Sequence, residues 1–207
     1  MFKTITEAVD TLKLGYKEAR EVLGEEVQEW FRQKYLLQKT PIKDKIYTSP
    51  SFIPKGKIYF GVYDFNGKSK KGFYDVYPIV FHIDSTVYKN IDSKLGGINL
   101  NYYDNVKRAV FIDAVSTFFV NYIEENKKRL EVQDLMQYSV DGMNDFLNGY
   151  IGEMGFRYKK NLESYIWSQF RPTTVLPIDY EDWKWLPLLT PTGVNGQSLS
   201  KIQSNSY

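Results

Sequence analysis

Three short stretches between residues 57 and 103 alternate between apolar and other side chains, and this alternation restricts the fold more than any other feature of the sequence. The stretches read KIYFGVYDF, YPIVFHID and GGINLNYY. A period of two places successive side chains on opposite faces of an extended chain, so each stretch predicts a β-strand. Short strands punctuated by glycine predict a small antiparallel barrel of SH3-like or OB-like type.

The same alternation predicts which face of each strand meets the core. One face is apolar and comprises Ile58, Phe60, Val62, Ile79, Phe81, Ile83, Ile98, Leu100 and Tyr102. The opposite face carries His82, Asn99 and Asn101, so we expect His82 to point away from the apolar core. Pro78 stands at a strand entry, where its missing N–H breaks no ladder bond, and Asp75 can accept backbone N–H groups in the preceding turn.

Helical periodicity dominates much of the remaining chain. Apolar residues at steps of three or four predict one long N-terminal helix over residues 5–37, which at ~1.5 Å per residue would extend ~50 Å. Asp104 is placed to cap a helix over residues 105–127. The same periodicity predicts helices over residues 134–150 and 157–170.

Shorter signals complete the secondary-structure prediction. Gly15 and Gly24 each lower helix stability and are candidate bends in the first helix. The stretch TTVLPI predicts one more strand. The stretch DYEDWKWLPLL predicts an acid-capped helical turn with two tryptophans that anchor it.

Together these elements predict an α+β protein in which a small barrel carries a helical insertion. The predicted regions are an N-terminal helical arm (1–37), an extended connector (38–54), the barrel plus helical body (55–189) and an extended C-terminal tail (190–207). The tail is rich in Ser, Gly, Asn and Thr and has little to bury. We therefore expect the arm and the tail to become ordered against neighbouring subunits.

The composition narrows the classes of function. The chain has 27 basic and 25 acidic residues, and its net charge of +2 is too weak for a protein that grips nucleic acid over most of its surface. It contains no cysteine, which excludes disulfides, thiolate metal sites and cysteine nucleophiles. Aromatic residues make up 16%, an excess that suits surfaces buried against partner proteins.

The sequence shows neither the pattern of a membrane-spanning segment nor that of a signal peptide. No apolar run approaches the ~20 residues needed to span a bilayer. The start, MFKTITEAVD, lacks the basic-then-apolar pattern of a signal peptide. We therefore expect a protein made in a cytoplasm and without a membrane partner.

An enzymatic interpretation rests on His82, Asp75 and Asp179. His82 is the only histidine, so no second imidazole is available for a metal site. DYEDWK superficially resembles a nuclease arrangement of carboxylates and lysine, but no separate strand supplies the spaced aspartate. The glycine-rich phosphate loops and the nucleophile elbow are missing. We therefore predict no catalytic residue, no cofactor and no metal.

Two sets of side chains are candidates for binding other molecules. Basic clusters can contact DNA phosphates even when the net charge is near zero, although solvated charge at loop and helix ends is the alternative. The candidate DNA-contacting residues are Lys68, Lys70, Lys71, Arg157, Lys159 and Lys160. The candidate anchors for partner proteins are Trp30, Trp183 and Trp185.

The order of four motifs resembles a protein family found in tailed bacteriophages. The motifs are the strand at Tyr59–Tyr63, an aromatic-Asp-x-aromatic-Pro step at Tyr74–Pro78, G-x-N-x-x-Y at Gly97–Tyr102, and a proline-to-tryptophan turn at Pro177–Trp183. A helix with an early arginine, Arg108, follows the third motif. The resemblance spans residues 28–189.

The resemblance implies a virion-associated protein, and relatives are described as DNA-end-protector-like or structural. The leading hypothesis is a structural component at the head–tail connection (a neck or portal-proximal ring) or in the tail. It would form a homo-oligomeric ring and contact portal, neck or tail subunits. The alternative is a DNA-binding protein that protects or organises the end of the packaged double-stranded genome. Either protein would reside in the virion after synthesis in the bacterial cytoplasm, and no catalytic residues come with the resemblance.

Overall fold

The fold combines helices with an open, five-stranded antiparallel sheet, in agreement with the predicted α+β class. The computed structural model describes residues 15–36, 53–54, 56–64, 74–83, 94–126, 162–171, 175–190 and 194–195. The strands are β1 (Ile58–Phe60), β2 (Tyr74–Asp75), β3 (Ile79–His82), β4 (Lys94–Asn99), β5 (Leu162–Ile166), β6 (Leu176–Pro177) and β7 (Val194–Asn195). The α-helices are α1 (Tyr16–Phe31), continued by a π-helical turn (Arg32–Leu36), and α2 (Asn105–Asn126). Three 3₁₀ helices cover Leu100–Tyr102, Trp167–Gln169 and Tyr180–Leu188, and the last of these is called the long 3₁₀ helix below.

The five-stranded sheet has the order β5-β4-β3-β1-β6. Its neighbouring strands are antiparallel, with Phe81 of β3 opposite Ile58 of β1 on one side and Ile98 of β4 on the other. β2 and β7 form a separate two-stranded sheet. β6 confirms the strand predicted for TTVLPI, and it pairs with β1.

The predicted alternation of the central strands is confirmed, and both faces of the sheet are buried. The first face contributes to a core that includes Ile58, Phe60, Ile79, Phe81 and Ile98. The second face contributes to another core, made by Ile53, Tyr59, Tyr63, Val80, Leu95, Tyr165, Phe170 and Val175. Strands β1 and β3 therefore bury successive side chains in two different clusters.

Helices cover the first face of the sheet. The ring of Phe31 in α1 meets Phe60 edge-on at 5.2 Å. The ring of Phe81 meets Phe111 of α2 at 5.5 Å and Trp183 of the long 3₁₀ helix at 6.4 Å. All three helices thus share one core with the sheet, as the large apolar area of these rings favours.

Backbone hydrogen bonds connect the chain that follows β5 with the chain that follows β1. After β5 the chain crosses to the edge of β1 that lies opposite β3, where Tyr63 and Phe170 form an antiparallel bridge. The N–H of Arg171 donates to the carbonyl of Val62 (2.9 Å), and the N–H of Asp64 donates to the carbonyl of Gln169 (2.8 Å). The chain that leaves the edge strand β5 is therefore hydrogen-bonded to the residues that follow β1, on the side of the sheet where the other edge strand, β6, lies.

The N-terminal helix differs from the prediction at its start and in its packing. Gly15 has an extended backbone (φ −72°, ψ 168°), so α1 begins at Tyr16 and a continuous helix over residues 5–37 is wrong; residues 5–14 lie outside the described residues. Gly24, the other candidate bend, lies inside α1. Ala19 and Val27 are buried in the core that contains the sheet, so the described part of the predicted arm packs on the body.

The helix predicted over residues 157–170 is wrong where the structure describes it. Residues 162–166 form β5, which pairs with β4 in a register that places Ser164 opposite Gly96 and Tyr165 opposite Leu95. Tertiary pairing overrides a helical spacing here because Tyr165 enters the second core. The helix predicted over 134–150 lies outside the described residues.

The predicted helix after Asp104 is confirmed. α2 begins at Asn105, and Asp104 Oδ1 accepts the N–H of Lys107 (2.8 Å), as an N-terminal cap does. The strand-like alternation that precedes it ends earlier than predicted. Residues Leu100–Tyr102 form a 3₁₀ turn instead of extending β4.

Arg108, in the first turns of α2, joins the segments around the first core. Its side chain is fully buried (1% exposed) and donates to four backbone carbonyls. These belong to Leu100 (2.9 Å), Tyr103 (3.2 Å), Leu186 (2.8 Å) and Leu189 (3.0 Å). The rigid guanidinium fork presents donors in several directions at once, which a lysine ammonium on the same site does not do.

We expect Arg108→Ala to lower the free energy of unfolding by about 3 to 5 kcal/mol, since it leaves buried carbonyls without donors. Arg108→Lys should recover only part of this loss because one nitrogen replaces three. Arg32→Ala is the matched control, since Arg32 is exposed and forms a surface ion pair with the exposed Glu29; its effect should stay within about 0.5 kcal/mol. Urea unfolding measures all three. Equal losses in the Arg108→Ala and Arg32→Ala variants would contradict this role of Arg108.

Gly97 allows the close approach of β3 and β4. A Cβ at this position would lie 2.2 Å from the carbonyl oxygen of Phe81 and 2.6 Å from a methyl group of Val80. We expect Gly97→Ala to cost at least about 2 kcal/mol of unfolding free energy, because backbone must move to admit the methyl group. Gly15→Ala is the control: its Cβ would meet only the flexible carboxylate of Glu18, and the loss should stay below about 1 kcal/mol. Chemical unfolding that ranks the two variants in the opposite order would refute this explanation.

Candidate functional site

A buried polar network surrounds Asp75, the residue of β2 that the resemblance places in its second motif. Asp75 is only 1% exposed. Its Oδ2 accepts hydrogen bonds from the side-chain amides of Asn99 (2.9 Å) and Asn101 (2.8 Å). Its Oδ1 accepts the backbone N–H of Tyr77 (3.0 Å), which confirms the predicted turn acceptor. Both carboxylate oxygens are thus engaged by groups of this chain.

The network extends from Asp75 into the five-stranded sheet. Asn99 also donates to the hydroxyl of Tyr165 in β5 (2.7 Å), and its Oδ1 accepts the N–H of Asn101 (2.9 Å). Asn101 also donates to the carbonyl of Tyr77 (2.9 Å). The contacts link β2, the following turn, the end of β4 and β5. The network therefore fixes the small sheet of β2 and β7 onto the main sheet.

The electrostatics of Asp75 reflect this burial. Removal from water raises the pKa of the Asp75 carboxyl above its ordinary value of 3.8. Hydrogen bonds from Asn99, Asn101 and Tyr77 act in the opposite direction, as does the positive charge of Arg108. A carboxylate without solvent access, held by three donors, is suited to fixing backbone and side chains rather than to exchanging protons with a substrate.

His82 lies on the second face of the sheet, as predicted, and is buried (3% exposed). Its Nδ1 is 2.6 Å from the carbonyl oxygen of Gly96, so Nδ1–H donates this hydrogen bond. Its ring meets Tyr59 edge-on at 6.2 Å. The contacts place His82 in the packing between β3 and β4.

The third residue of the enzymatic interpretation, Asp179, lies in a different setting. Its side chain is 47% exposed and pairs with Lys34 at 3.6 Å. His82, Asp75 and Asp179 thus have separate sets of contacts, to Gly96, to two asparagines and to Lys34. Within the described part of the chain, no group of three or more His, Asp or Glu residues is placed to hold a metal ion.

A charged cluster fixes the end of α1 to the long 3₁₀ helix. Asp182 Oδ2 lies 2.5 Å from Lys34 Nζ and accepts the hydroxyl hydrogen of Tyr35, also at 2.5 Å. The Tyr35 hydroxyl in turn accepts the N–H of Asp179 (3.2 Å). Burial, followed by the hydrogen bond to Asp182, raises the pKa of the Tyr35 hydroxyl. The predicted acid-capped turn is confirmed, because Asp179 is the N-cap residue of the long 3₁₀ helix and Glu181 and Asp182 lie in its first turn. The Asp179 side chain itself makes no hydrogen bond to the end of this helix.

The predicted tryptophan anchors occupy two kinds of position. Trp183 and Trp185 are each only 4% exposed and lie in the first core of this chain. Trp183 also donates through Nε1 to the carbonyl of Ile178 (3.0 Å). Trp30 is partly buried, and the ammonium of Lys34 lies 5.7 Å from its ring. Of the three, only Trp30 keeps a partly exposed ring.

The predicted DNA-contacting residues lie outside the described residues; they are Lys68, Lys70, Lys71, Arg157, Lys159 and Lys160. The pairing of Asp75 with Asn99 and Asn101 was not predicted from the sequence. The sequence feature that indicates this pairing is the presence of two asparagines on the polar face of one predicted strand, after an aspartate in an earlier turn. The sequence did not indicate that Arg108 would be buried and bound to four carbonyls, since a lone arginine early in a helix is usually solvated.

No family model, curated protein or solved structure matches this chain. The helices in the described ranges include none that is both long and apolar enough to cross a membrane. The resemblance to tailed-phage proteins therefore rests on the sequence motifs themselves.

Asp75→Asn tests the buried carboxylate through the pH dependence of stability. A raised pKa in the folded state means that the folded protein holds the Asp75 proton more tightly than the unfolded chain does. Ionisation of Asp75 therefore lowers stability as the pH rises above 3.8 through the raised pKa, and the effect is constant above that window. We expect the unfolding free energy of the wild type, minus that of Asp75→Asn, to fall as the pH rises across this window.

The control for this measurement is Asp113→Asn, because Asp113 is exposed on α2. Urea unfolding at a series of pH values from acid to neutral gives both difference curves. A wild-type minus Asp75→Asn curve that rises with pH, or that follows the Asp113 control, would contradict the predicted direction of the Asp75 shift.

Proposed function

We propose that this chain is a structural component of a tailed-bacteriophage virion, at the head–tail connection or in the tail, where copies assemble into a ring. The observation that carries the proposal is that the phage-like motifs contact one another. Asp75 of the Tyr74–Pro78 step binds Asn99 and Asn101 of the third motif. Arg108 donates to the Leu100 carbonyl of the third motif and to the Leu186 carbonyl, which follows the fourth motif. A shared set of motifs that forms one rigid framework is expected of an architectural protein.

The state of the buried ionisable groups favours assembly over catalysis. His82 and Asp75 are sequestered from solvent, and their hydrogen bonds are made within the chain. A catalytic acid or base must reach the proton that it transfers, directly or through one water. We therefore propose that the protein is not an enzyme and has no cofactor.

We further propose that the sheet belongs to a small barrel of SH3-like or OB-like type. Support comes from the bridge between Tyr63 and Phe170, which joins the chain after β5 to the chain after β1, and from the second core that contains both residues. Closure of a sheet removes the exposed edges that promote unspecific association. Such a body suits a subunit that must contact neighbours only at defined surfaces.

Ring assembly requires contacts between different surfaces of identical subunits, because head-to-tail contacts close into a ring when the rotation permits. Candidate contact points are the partly exposed ring of Trp30 and the exposed apolar side chains of Val22 (61%) and Tyr180 (52%). Trp183 and Trp185 would support such a surface from inside the core. Portal, neck or tail subunits would cover the remaining faces of the ring.

We expect native mass spectrometry of the purified chain to show a closed oligomer, or a monomer that becomes a ring in the particle. Cryo-EM of purified virions, with the chain identified by its peptides, should place it in symmetric density at the neck or tail. The variant Val22→Asp tests the interface, because it places a charge on an exposed apolar position. It should lower the fraction of oligomer while its urea unfolding midpoint stays close to that of the wild type. Absence of the chain from purified virions would refute the proposal.

The DNA-binding alternative predicts a different result in the same experiments. The chain would stay monomeric, copurify with genome ends and bind duplex DNA at about 50 mM salt, with an affinity that falls steeply as salt increases. Substitution of Lys68, Lys70 and Lys71 together by alanine should then abolish most of this binding. Such a result would replace the structural proposal by the DNA-binding one.

A further inference from the structure

The small sheet of β2 and β7 joins the C-terminal tail to the body. The strands are antiparallel, with Tyr74 opposite Asn195 and Asp75 opposite Val194. Two residue pairs of this sheet lie within the described part of the chain. Within these residues β7 is paired as sparsely as β6, and more sparsely than β3, β4 and β5.

The acceptor strand β2 is fixed without help from β7. Asp75 is held by Asn99, Asn101 and the N–H of Tyr77, which all belong to the body. The turn after Asp75 leads directly into Pro78 and β3. The edge of β2 that accepts a strand is thus preformed.

The chain is also fixed at the point where the tail departs. The carbonyl of Leu189 accepts a hydrogen bond from Arg108 (3.0 Å), and the N–H of Thr190 donates to Gln28 Oε1 (3.2 Å). Residues 191–193 then separate Thr190 from β7. The contacts of Leu189 and Thr190, and those that hold β2, would be the same whether β2 pairs with β7 of its own chain or with β7 of another copy.

We infer that β2 is the acceptor site for the tail of a neighbouring copy of this chain, with residues 194–195 of one subunit paired to residues 74–75 of the next. This inference rests on the proposed ring. Donor strand and acceptor strand are different surfaces of the same chain, which is the head-to-tail relation that generates rings. The backbone hydrogen bonds are the same within one chain and between two, so exchange loses no contact.

Proximity in a ring would allow this exchange. A neighbouring tail tethered within reach of β2 competes with the chain's own tail at a high effective concentration. The sequence of residues 190–207 is polar and has little to bury, so its binding must come from backbone pairing such as that with β2. A second copy therefore offers β2 the same backbone pairing that the chain's own tail makes.

Cysteine cross-linking tests the register directly because the chain contains no cysteine. Two single variants, Tyr74→Cys and Asn195→Cys, are mixed or coexpressed, assembled and oxidised. Opposite residues of an antiparallel pair lie within the distance that a disulfide spans. We expect a disulfide-linked dimer on a non-reducing gel, at a yield at least about tenfold above the pair Tyr74→Cys with Thr117→Cys, since Thr117 is exposed on α2.

The double variant Tyr74→Cys/Asn195→Cys separates the possible failures. A closed oligomer that links only within each chain overturns the exchange but leaves the proposed ring intact. A chain that links only within itself, both in solution and in purified virions, and that forms no ring in the particle overturns both. A link from Tyr74→Cys to a different virion protein overturns the choice of a second copy as occupant.

A second variant keeps the inference testable should Tyr74→Cys fail to fold. Prolines at both 194 and 195 remove every N–H that β7 offers to β2, whereas alanines at both positions keep them. We expect Val194→Pro/Asn195→Pro to shift the native mass from oligomer to monomer with an unchanged urea midpoint, and Val194→Ala/Asn195→Ala to remain oligomeric. An intact oligomer of the proline variant would overturn the inference.

Discussion

The buried guanidinium of Arg108 is the interaction on which the rest of this structure depends. It binds carbonyls of the 3₁₀ turn after β4 and carbonyls at the end of the long 3₁₀ helix, so it joins segments far apart in the sequence. Burial raises the pKa of the Asp75 carboxyl, and the positive charge of Arg108 opposes part of this rise. The turn Leu100–Tyr102 lies between them: Arg108 holds its first carbonyl, and Asp75 holds the side chain of Asn101. Two buried polar side chains, Arg108 and Asp75, thus hold the same short turn from different sides.

This arrangement links the fold to the proposed assembly. The Asp75 side fixes β2, and the Arg108 side fixes Leu189, the residue just before the tail departs. The acceptor strand and the origin of the donor strand are therefore held by one connected network. In a ring, the distance between these two points on each subunit determines how the tail of one copy meets the next. A rigid network at this place gives every subunit the same geometry.

Much of this fold could be predicted from the sequence, because local rules operate where strands and caps are regular. The alternation of β1 and β3, the cap at Asp104 and the turn contact of Asp75 all follow from one stretch of chain at a time. The strand at 162–166 could not be predicted, because its helical spacing is overridden by pairing with β4, whose sequence lies far away. The same holds for Trp183 and Trp185, which fit a surface anchor equally well until the sheet that covers them is known.

The least predictable features are the buried polar groups, and their energetics explain their position. An apolar residue in place of Arg108 or Asp75 would avoid the desolvation of a charge, and cores of apolar residues are often more stable than buried ion pairs. An apolar core, however, tolerates several packings of similar free energy. The fork of Arg108 is satisfied only when four carbonyls converge, and Asp75 only when Asn99, Asn101 and Tyr77 do. Charges that demand one geometry are therefore well suited to a subunit whose proposed role is to hold its tail strand at a fixed place.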